Sequence, residues 1–281
     1  MAKVKTISTL IPTFNREVYL KKAIQSCLNQ TIDHEIIVCN HGGTDGTDKM
    51  ITEFEGKIKY IKRNKDYGPH FCWLEGVMEA SGEYINLLFD DDWIEPKFIE
   101  ECMKYFDNSD VGFVFSSANI YHDSDKKITA SGQNTFLPRS GIYSISKYES
   151  FFLKYIMSPT SFIIKKKDMI DCLFQGRLPF SKYTYKGVGP DRLMILMCLL
   201  RYKKFGYVSE SLSFYRSHAD SITIDSRTDN KKEHMIKKSY EEVLKYYYSL
   251  KYGRYFSFFQ TKYIIHLRYR FNLFLRKILN R

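Results

Sequence analysis

Along the first hundred or so residues the apolar positions alternate between two rhythms. Short β-rich runs are followed by stretches in which apolar residues recur every three or four positions. Residues 7–11 read as a strand ended by Pro12. Leu20, Ala23, Ile24, Cys27 and Leu28 then share one face of a helix over residues 18–28. Residues 35–39 form a second strand, and Gly42, Gly43, Thr44 and Asp45 turn the chain into a helix starting near Thr44. A short third strand over 58–61 precedes a helix over 69–80, with Pro69 at its permitted first turn. Residues 84–89 make a fourth strand that runs directly into Asp90, Asp91 and Asp92. Strands alternating with helices predict a parallel, doubly wound sheet. Ligands of such sheets bind beyond the carboxyl ends of the strands, which points to residues 12–16, 40–45 and 90–92.

The regularity fades after Val111. The pattern predicts strands over 111–116 and 162–164, a polar turn at 123–127, and a loop-like stretch at 131–141. A helix over 191–202 turns Leu193, Ile195, Leu196, Cys198 and Leu199 to an apolar interior. No internal repeat is visible. From Ser226 the composition shifts to Lys, Arg, Tyr and Phe, and no acidic residue follows Glu242.

Three consecutive carboxylates at the end of a buried strand repel one another, and burial adds to the cost. A hard divalent cation shared with substrate phosphates relieves this, in the manner of Mg²⁺ or Mn²⁺. The alternative is a solvated acidic turn that leads into the next helix at Glu95 and Pro96. The apolar run over 84–89 favours the cation, since the triad then leaves a central strand rather than a surface loop.

Ile11-Pro-Thr-Phe-Asn-Arg16, Asn29-Gln-Thr31, Glu35-Ile-Ile-Val38, Gly43-Thr-Asp-Gly-Thr47 and Ala80-Ser-Gly-Glu-Tyr-Ile85, followed by Asp90, Asp91, Asp92 and Trp93, occur in that order. Together they resemble the family 2 glycosyltransferases, which have the GT-A fold. Gly189-Pro-Asp-Arg192, Tyr207-Val-Ser-Glu210 and Tyr215-Arg-Ser-His-Ala-Asp-Ser221 resemble the acceptor-side half of that family. The resemblance spans residues 7–223. It implies an α/β, Rossmann-like, mostly parallel sheet flanked by helices, here with a C-terminal helical extension. The chain would divide into a nucleotide-sugar-binding half (1–110), an acceptor-binding half of the same domain (111–225) and a basic aromatic tail (226–281).

The resemblance also implies roles. Asp90, Asp91 and Asp92 match the DXD element that holds metal and nucleotide diphosphate, with Asp92 and His218 as expected metal contacts and Mn²⁺ or Mg²⁺ as cofactor. Pro12, Thr13, Asn15 and Arg16 match the first nucleotide-binding loop. Asn40 stands where most members have an Asp that contacts the base, and His41 and Gly43 depart from the usual Asp and Ser. Asn can still hydrogen-bond a base edge. Arg63 is a further candidate for phosphate. Asp191 matches the family's general base, with Pro190 in place of its usual Glu neighbour. The same Asp191 also reads as the cap of an apolar helix, a role compatible with the first.

Composition sharpens the partner. The 281 residues carry a formal charge of +11, with 22 Tyr and 21 Phe, a balance that suits an anionic partner. No helix-turn-helix, zinc or RNP pattern accompanies the charge, so nucleic acid is not the expected one. Cys27, Cys39, Cys72, Cys102, Cys172 and Cys198 form no CxxC pair and read as reduced, buried thiols. With no secretory h-region at the start and no apolar run near 20 residues, a cytoplasmic protein is expected. Over residues 251–281, Phe256, Phe259, Tyr263, Leu267, Phe271, Phe274 and Ile278 form a stripe at helical spacing, with basic residues around it. This pattern suits a helix lying on the inner face of a membrane, or one packed on the domain or a second subunit.

The expected function is therefore an inverting, metal-dependent glycosyltransferase. It would move a sugar from a nucleotide-sugar donor, a UDP-sugar, to a glycan or polyprenyl-diphosphate-linked acceptor in surface polysaccharide or O-antigen synthesis. A nucleotidyltransferase, or a non-catalytic protein that binds nucleotide or lipid on the same fold, is the alternative.

Overall fold

The computed structural model describes residues 6–131, 137–173, 189–218 and 231–253. Four parallel strands open the chain: β1 (Ile7–Thr13), β2 (Glu35–Asn40), β3 (Lys59–Lys62) and β4 (Tyr84–Leu87). Between them run α1 (Glu17–Leu28), α2 (Thr47–Ile51) and α3 (Pro69–Glu79). The second half adds β5 (Trp93–Ile94), α4 (Phe98–Met103), β6 (Val111–His122), β7 (Ile128–Ala130) and β8 (Gly141–Ser144). It continues with α5 (Ile145–Lys154), β9 (Phe162–Lys165), α6 (Lys166–Leu173), α7 (Pro190–Arg201) and β10 (Lys204–Ser217). A last helix, α8, covers residues 231–253.

The strands join one sheet in the order β3-β2-β1-β4-β9-β6-β10-β5, with β7 on β6 and β8 on β10. The β3-β2-β1-β4 portion is parallel throughout, as the strand–helix alternation predicts. β9 then enters antiparallel between β4 and β6, while β6 and β10 run parallel to each other.

Alternate strand residues face opposite sides of the sheet, and each side has its own core. Leu10, Ile37, Ile85, Phe113 and Phe115 face α3, α5, α6 and α7, joined by Val243 and Tyr247 of α8. Ile11, Ile36, Val38, Val114 and Ile163 face α1, α2 and α4. Helix α7 buries every residue from Arg192 to Leu199, which marks it as a core helix rather than a surface one. All six cysteines are free and buried. Among the described residues no helix is long and apolar enough to cross a membrane.

Several boundaries move from their sequence expectation: β4 ends at Leu87 rather than at 89, and β6 runs on to His122 rather than ending at 116. β1 continues through Pro12 to Thr13, because Pro12 lies beyond the last β1–β4 pair, Leu10 with Leu87, so its missing N–H leaves that ladder intact. Helix α2 starts at Thr47 rather than near Thr44, since the Thr44 and Asp45 amides are held by the Asn15 side chain.

Candidate active site

From β1 the chain moves outward to β2 and β3, then crosses back to place β4 on the other side of β1. That reversal opens a crevice between the carboxyl ends of β1 and β4, the usual ligand position in such sheets. Residues 13–16 and 90–92 meet there. Arg16 Nη1 donates to Asp90 Oδ1 at 3.2 Å and to Asp91 Oδ2 at 2.8 Å. His218, immediately after β10, brings Nε2 within 3.0 Å of Asp91 Oδ2, and its ring lies 4.6 Å from that of Tyr19 on α1. Asp92 takes different partners: Oδ2 accepts the Thr160 hydroxyl at 2.7 Å and Oδ1 the Arg216 backbone N–H at 3.0 Å.

Among the described residues one guanidinium faces three carboxylates here and does not balance them. Two like charges at ~4 Å repel by about 4 kcal/mol at an effective dielectric near 20. Burial, and next the charge of Asp91, push the Asp90 carboxyl up to about 7 against the pull of Arg16. Burial and Asp91 drive Asp92 well above the carboxylate range, against its hydrogen bonds from Thr160 and Arg216. For Asp91 burial acts the same way, yet the hydrogen bond from His218 and the charge of Arg16 outweigh it and hold it low. The Thr13 hydroxyl is buried and close enough to Asp90 to favour its charge, without completing a well-formed hydrogen bond among the described residues. His218 Nδ1 is likewise buried and without such a partner among them.

Among the described residues no three His, Cys, Asp or Glu side chains are arranged to cage a metal ion by themselves. Mg²⁺ and Mn²⁺ do not require that: one or two carboxylates suffice when substrate phosphates and water complete the shell. Among the described residues, buried and ionisable Asp92 takes two hydrogen bonds and has no cationic side chain on its oxygens. The donor set fits a hard divalent cation.

The neighbouring loop is knitted to the first one. Asn15 adopts the left-handed φ of 54° that Asn tolerates, and its Oδ1 accepts the Thr44 N–H at 2.7 Å and the Asp45 N–H at 3.3 Å. Asn40 Oδ1 accepts the Gly43 N–H at 2.8 Å, while its Nδ2 donates to the Tyr60 hydroxyl at 2.9 Å. Both ends of the Asn40 amide thus shape the loop. His41 stacks on Phe14 at 5.0 Å and pairs through Nδ1 with Asp66 at 2.9 Å. Arg63 is turned onto α3, donating to Glu75 and to the Phe71 carbonyl.

Asp191 stands apart from these contacts. Gly189 takes a φ of +113°, which a side chain would resist, and sets Pro190 at the first turn of α7. Asp191 Oδ1 accepts the Gly189 N–H at 2.9 Å and the Arg192 N–H at 2.8 Å, and Oδ2 accepts the Tyr240 hydroxyl of α8 at 2.9 Å. Burial pushes this carboxyl up, opposed by those three donors. The structure therefore joins Arg16, Asp90, Asp91 and His218 in one network, sets Asp92, Pro12 and Thr13 beside it, and gives Asn15, Asn40, Arg63 and Asp191 local partners.

Sequence reading assigns no role to Tyr19, Thr160, Trp93 or Tyr240. Tyr19 carried a signal, three residues after Arg16 and hence on the same face of the incoming helix, and Trp93 closes the acidic string that carries the resemblance. Thr160 lies in a single 3₁₀ turn, Pro159–Ser161, and Tyr240 in a segment read only as tail. Trp93 stacks on Phe214 at 4.9 Å and receives the cations of Lys22 and Arg216, at 3.0 Å and 5.5 Å from its ring.

Comparison with known proteins identifies relatives of the chain. Over 224 residues the chain is 28% identical to the GalNAc(5)-diNAcBac-PP-undecaprenol beta-1,3-glucosyltransferase of Campylobacter jejuni, covering 78% of this chain and 67% of that protein. It is 30% identical over 135 residues to the hyaluronan synthase of Pasteurella multocida, covering 47% of this chain and only 14% of that much longer protein. The solved structure of S. aureus TarS 1-349 in complex with UDP-GlcNAc superposes with a TM-score of 0.62 at 16% identity, over 90% of this chain and 75% of that one. The family model for glycosyl transferase family 2 matches residues 8–173, a span that contains the crevice loops and the acidic triad and ends before Asp191 and His218. With more than half of its length matched and the GT-A architecture in place, the chain belongs to glycosyl transferase family 2.

Proposed function

We propose that the protein is an inverting glycosyltransferase that takes a UDP-sugar as donor and a lipid-linked glycan as acceptor, in the synthesis of a surface polysaccharide. The observation that carries this reading is the network of Arg16, Asp90, Asp91 and His218 at the β1–β4 switch point, with Asp92 beside it. A buried carboxylate cluster with too few cations suits a diphosphate brought in with a divalent ion. Asp90, Asp92 and His218 would hold that ion, which as a Lewis acid offsets charge on the departing diphosphate. Arg16 fixes the first loop on the triad and limits carboxylate repulsion. The walls made by Asn15, Asn40 and the stacked Phe14–His41 pair give the nucleoside a preformed seat.

Asp191 serves as the base. Its carboxylate accepts the proton of the acceptor hydroxyl as that oxygen bonds to the anomeric carbon; the bond from that carbon to the diphosphate breaks, and the nucleoside diphosphate leaves. A single displacement inverts the anomeric centre, and a positioned base contributes about 10²–10⁴ in rate. The S. aureus structure that holds UDP-GlcNAc supports the donor class, and the undecaprenol-linked acceptor named for the Campylobacter relative supports the acceptor class. Exposed Tyr248 and Tyr252, stacked at 6.0 Å near the end of described α8, support contact of this end with the inner face of a membrane. The stripe from Phe256 to Ile278 that continues this reading lies outside the described residues.

Asp191→Asn tests the proposal. With Mn²⁺ and a panel of UDP-sugars, the variant is expected to bind UDP like the wild type while transfer falls at least about a hundredfold. Wild-type transfer by the variant removes Asp191 from the role of base.

A further inference from the structure

Helix α8 docks on the domain through Val243 and Tyr247, both buried in the same core as α7. Two polar links secure its second half: the Tyr247 hydroxyl and the Lys251 ammonium both reach Glu149 on α5. Tyr240, two turns earlier, does something else. Its hydroxyl donates to Asp191 Oδ2 at 2.9 Å, while Oδ1 already carries the Gly189 and Arg192 amides. A carboxylate offers about four acceptor sites, so the three donors among the described residues fix its orientation and leave one for an incoming hydroxyl. Asp191 itself is only partly buried.

From this geometry we infer that Tyr240 is a positioning residue for the candidate base: the C-terminal helix orients the Asp191 carboxylate for proton transfer from the acceptor. This inference rests on the reading of Asp191 as base. Among the described residues, the titratable or charged groups acting on the carboxylate are Tyr240 and Arg192. The Arg192 guanidinium is turned to the Leu153 carbonyl and lies 5.9 Å from the Tyr240 ring. Burial and the adjacent Asp191 hold the Tyr240 phenol protonated, so it stays a donor across the working pH range. Its bond favours the charged form of Asp191, and removing it lets burial push the carboxyl higher.

Tyr240→Phe and Tyr247→Phe separate positioning from docking, since each removes one hydroxyl from the same helix. Two readouts are compared with the wild type: the pH midpoint for carbodiimide labelling of Asp191, followed by mass spectrometry, and UDP release from UDP-sugars with Mn²⁺. Tyr240→Phe is expected to raise the labelling midpoint by about one pH unit and to slow UDP release on the order of tenfold at neutral pH. The donor KM stays near the wild-type value, and Tyr247→Phe leaves the midpoint unmoved. An unchanged midpoint in Tyr240→Phe, or the same shift in both variants, overturns the inference. Asp191→Asn distinguishes the two levels. If that variant releases UDP at the wild-type rate, the base reading has failed and the contact is only structural. If it is inactive while Tyr240→Phe changes nothing, only the positioning role has failed.

Discussion

A buried carboxylate depends on its hydrogen bonds, and among the described residues Asp92 is held by two: the Thr160 hydroxyl and the Arg216 amide. Thr160→Val keeps the shape of the side chain and removes one donor. The expected cost is about 1–3 kcal/mol, read as a lower urea midpoint, since a desolvated acceptor is left unpaired. At Asp191 the environment makes a kinetic prediction. The base must be deprotonated to act, and its folded pKa lies above the ordinary value of about 4. The acid limb of kcat/KM should therefore sit above pH 4, with activity lost as pH falls through the raised value; a limb at or below 4 contradicts the assignment. Residue identity at the crevice was largely legible, because Arg16, the three aspartates and His218 stand in recognisable strings. What each does with its atoms was not. Asn40 reads as a base contact, yet both ends of its amide are engaged by Gly43 and Tyr60, a fact that depends on a third strand's side chain.

At the scale of elements, the first four strands and α1 and α3 follow the apolar rhythm, because their buried faces repeat at strand or helix spacing. The rhythm fails where tertiary partners decide. The charged run over 165–168 spans two elements: Lys165 ends β9 and Lys166 opens α6, where buried Asp168 takes hydrogen bonds from Arg201 at 2.7 Å and Tyr202 at 2.6 Å. β10 escaped notice since its pairing with β6 slips between Val208 and Ser211 and again before Ser213, which breaks the alternation along its fourteen residues. Helix α3 offers a test of packing. A methyl group on Gly76 would lie 2.2 Å from Leu10 Cδ1 and 2.8 Å from Cys39 Sγ, so the helix rests directly on β1 and β2. Gly76→Ala is expected to lose about 1–3 kcal/mol in denaturant unfolding. A stability gain, as for Ala at an exposed helical Gly, contradicts that close approach.

Across the whole molecule, the charge of +11 divides into regions with opposite needs. The crevice gathers carboxylates that want a cation, while the sequence after Glu242 is basic throughout. Membrane contact through that end predicts binding to vesicles containing anionic lipid, weakening as salt rises from 0.05 M to 0.5 M because surface charges are screened. Equal recovery with neutral vesicles would argue against it. The claim on which the functional reading turns is the metal-bridged diphosphate at Asp90, Asp91 and Asp92, and it can be measured without knowing sugar or acceptor. UDP is titrated calorimetrically into the wild type and Asp92→Asn, with Mn²⁺ and with chelator. The prediction is UDP binding by the wild type that weakens at least about tenfold in chelator, a metal effect worth about 1.4 kcal/mol, and that is lost in Asp92→Asn. Binding of equal strength in both proteins, with or without Mn²⁺, would contradict it.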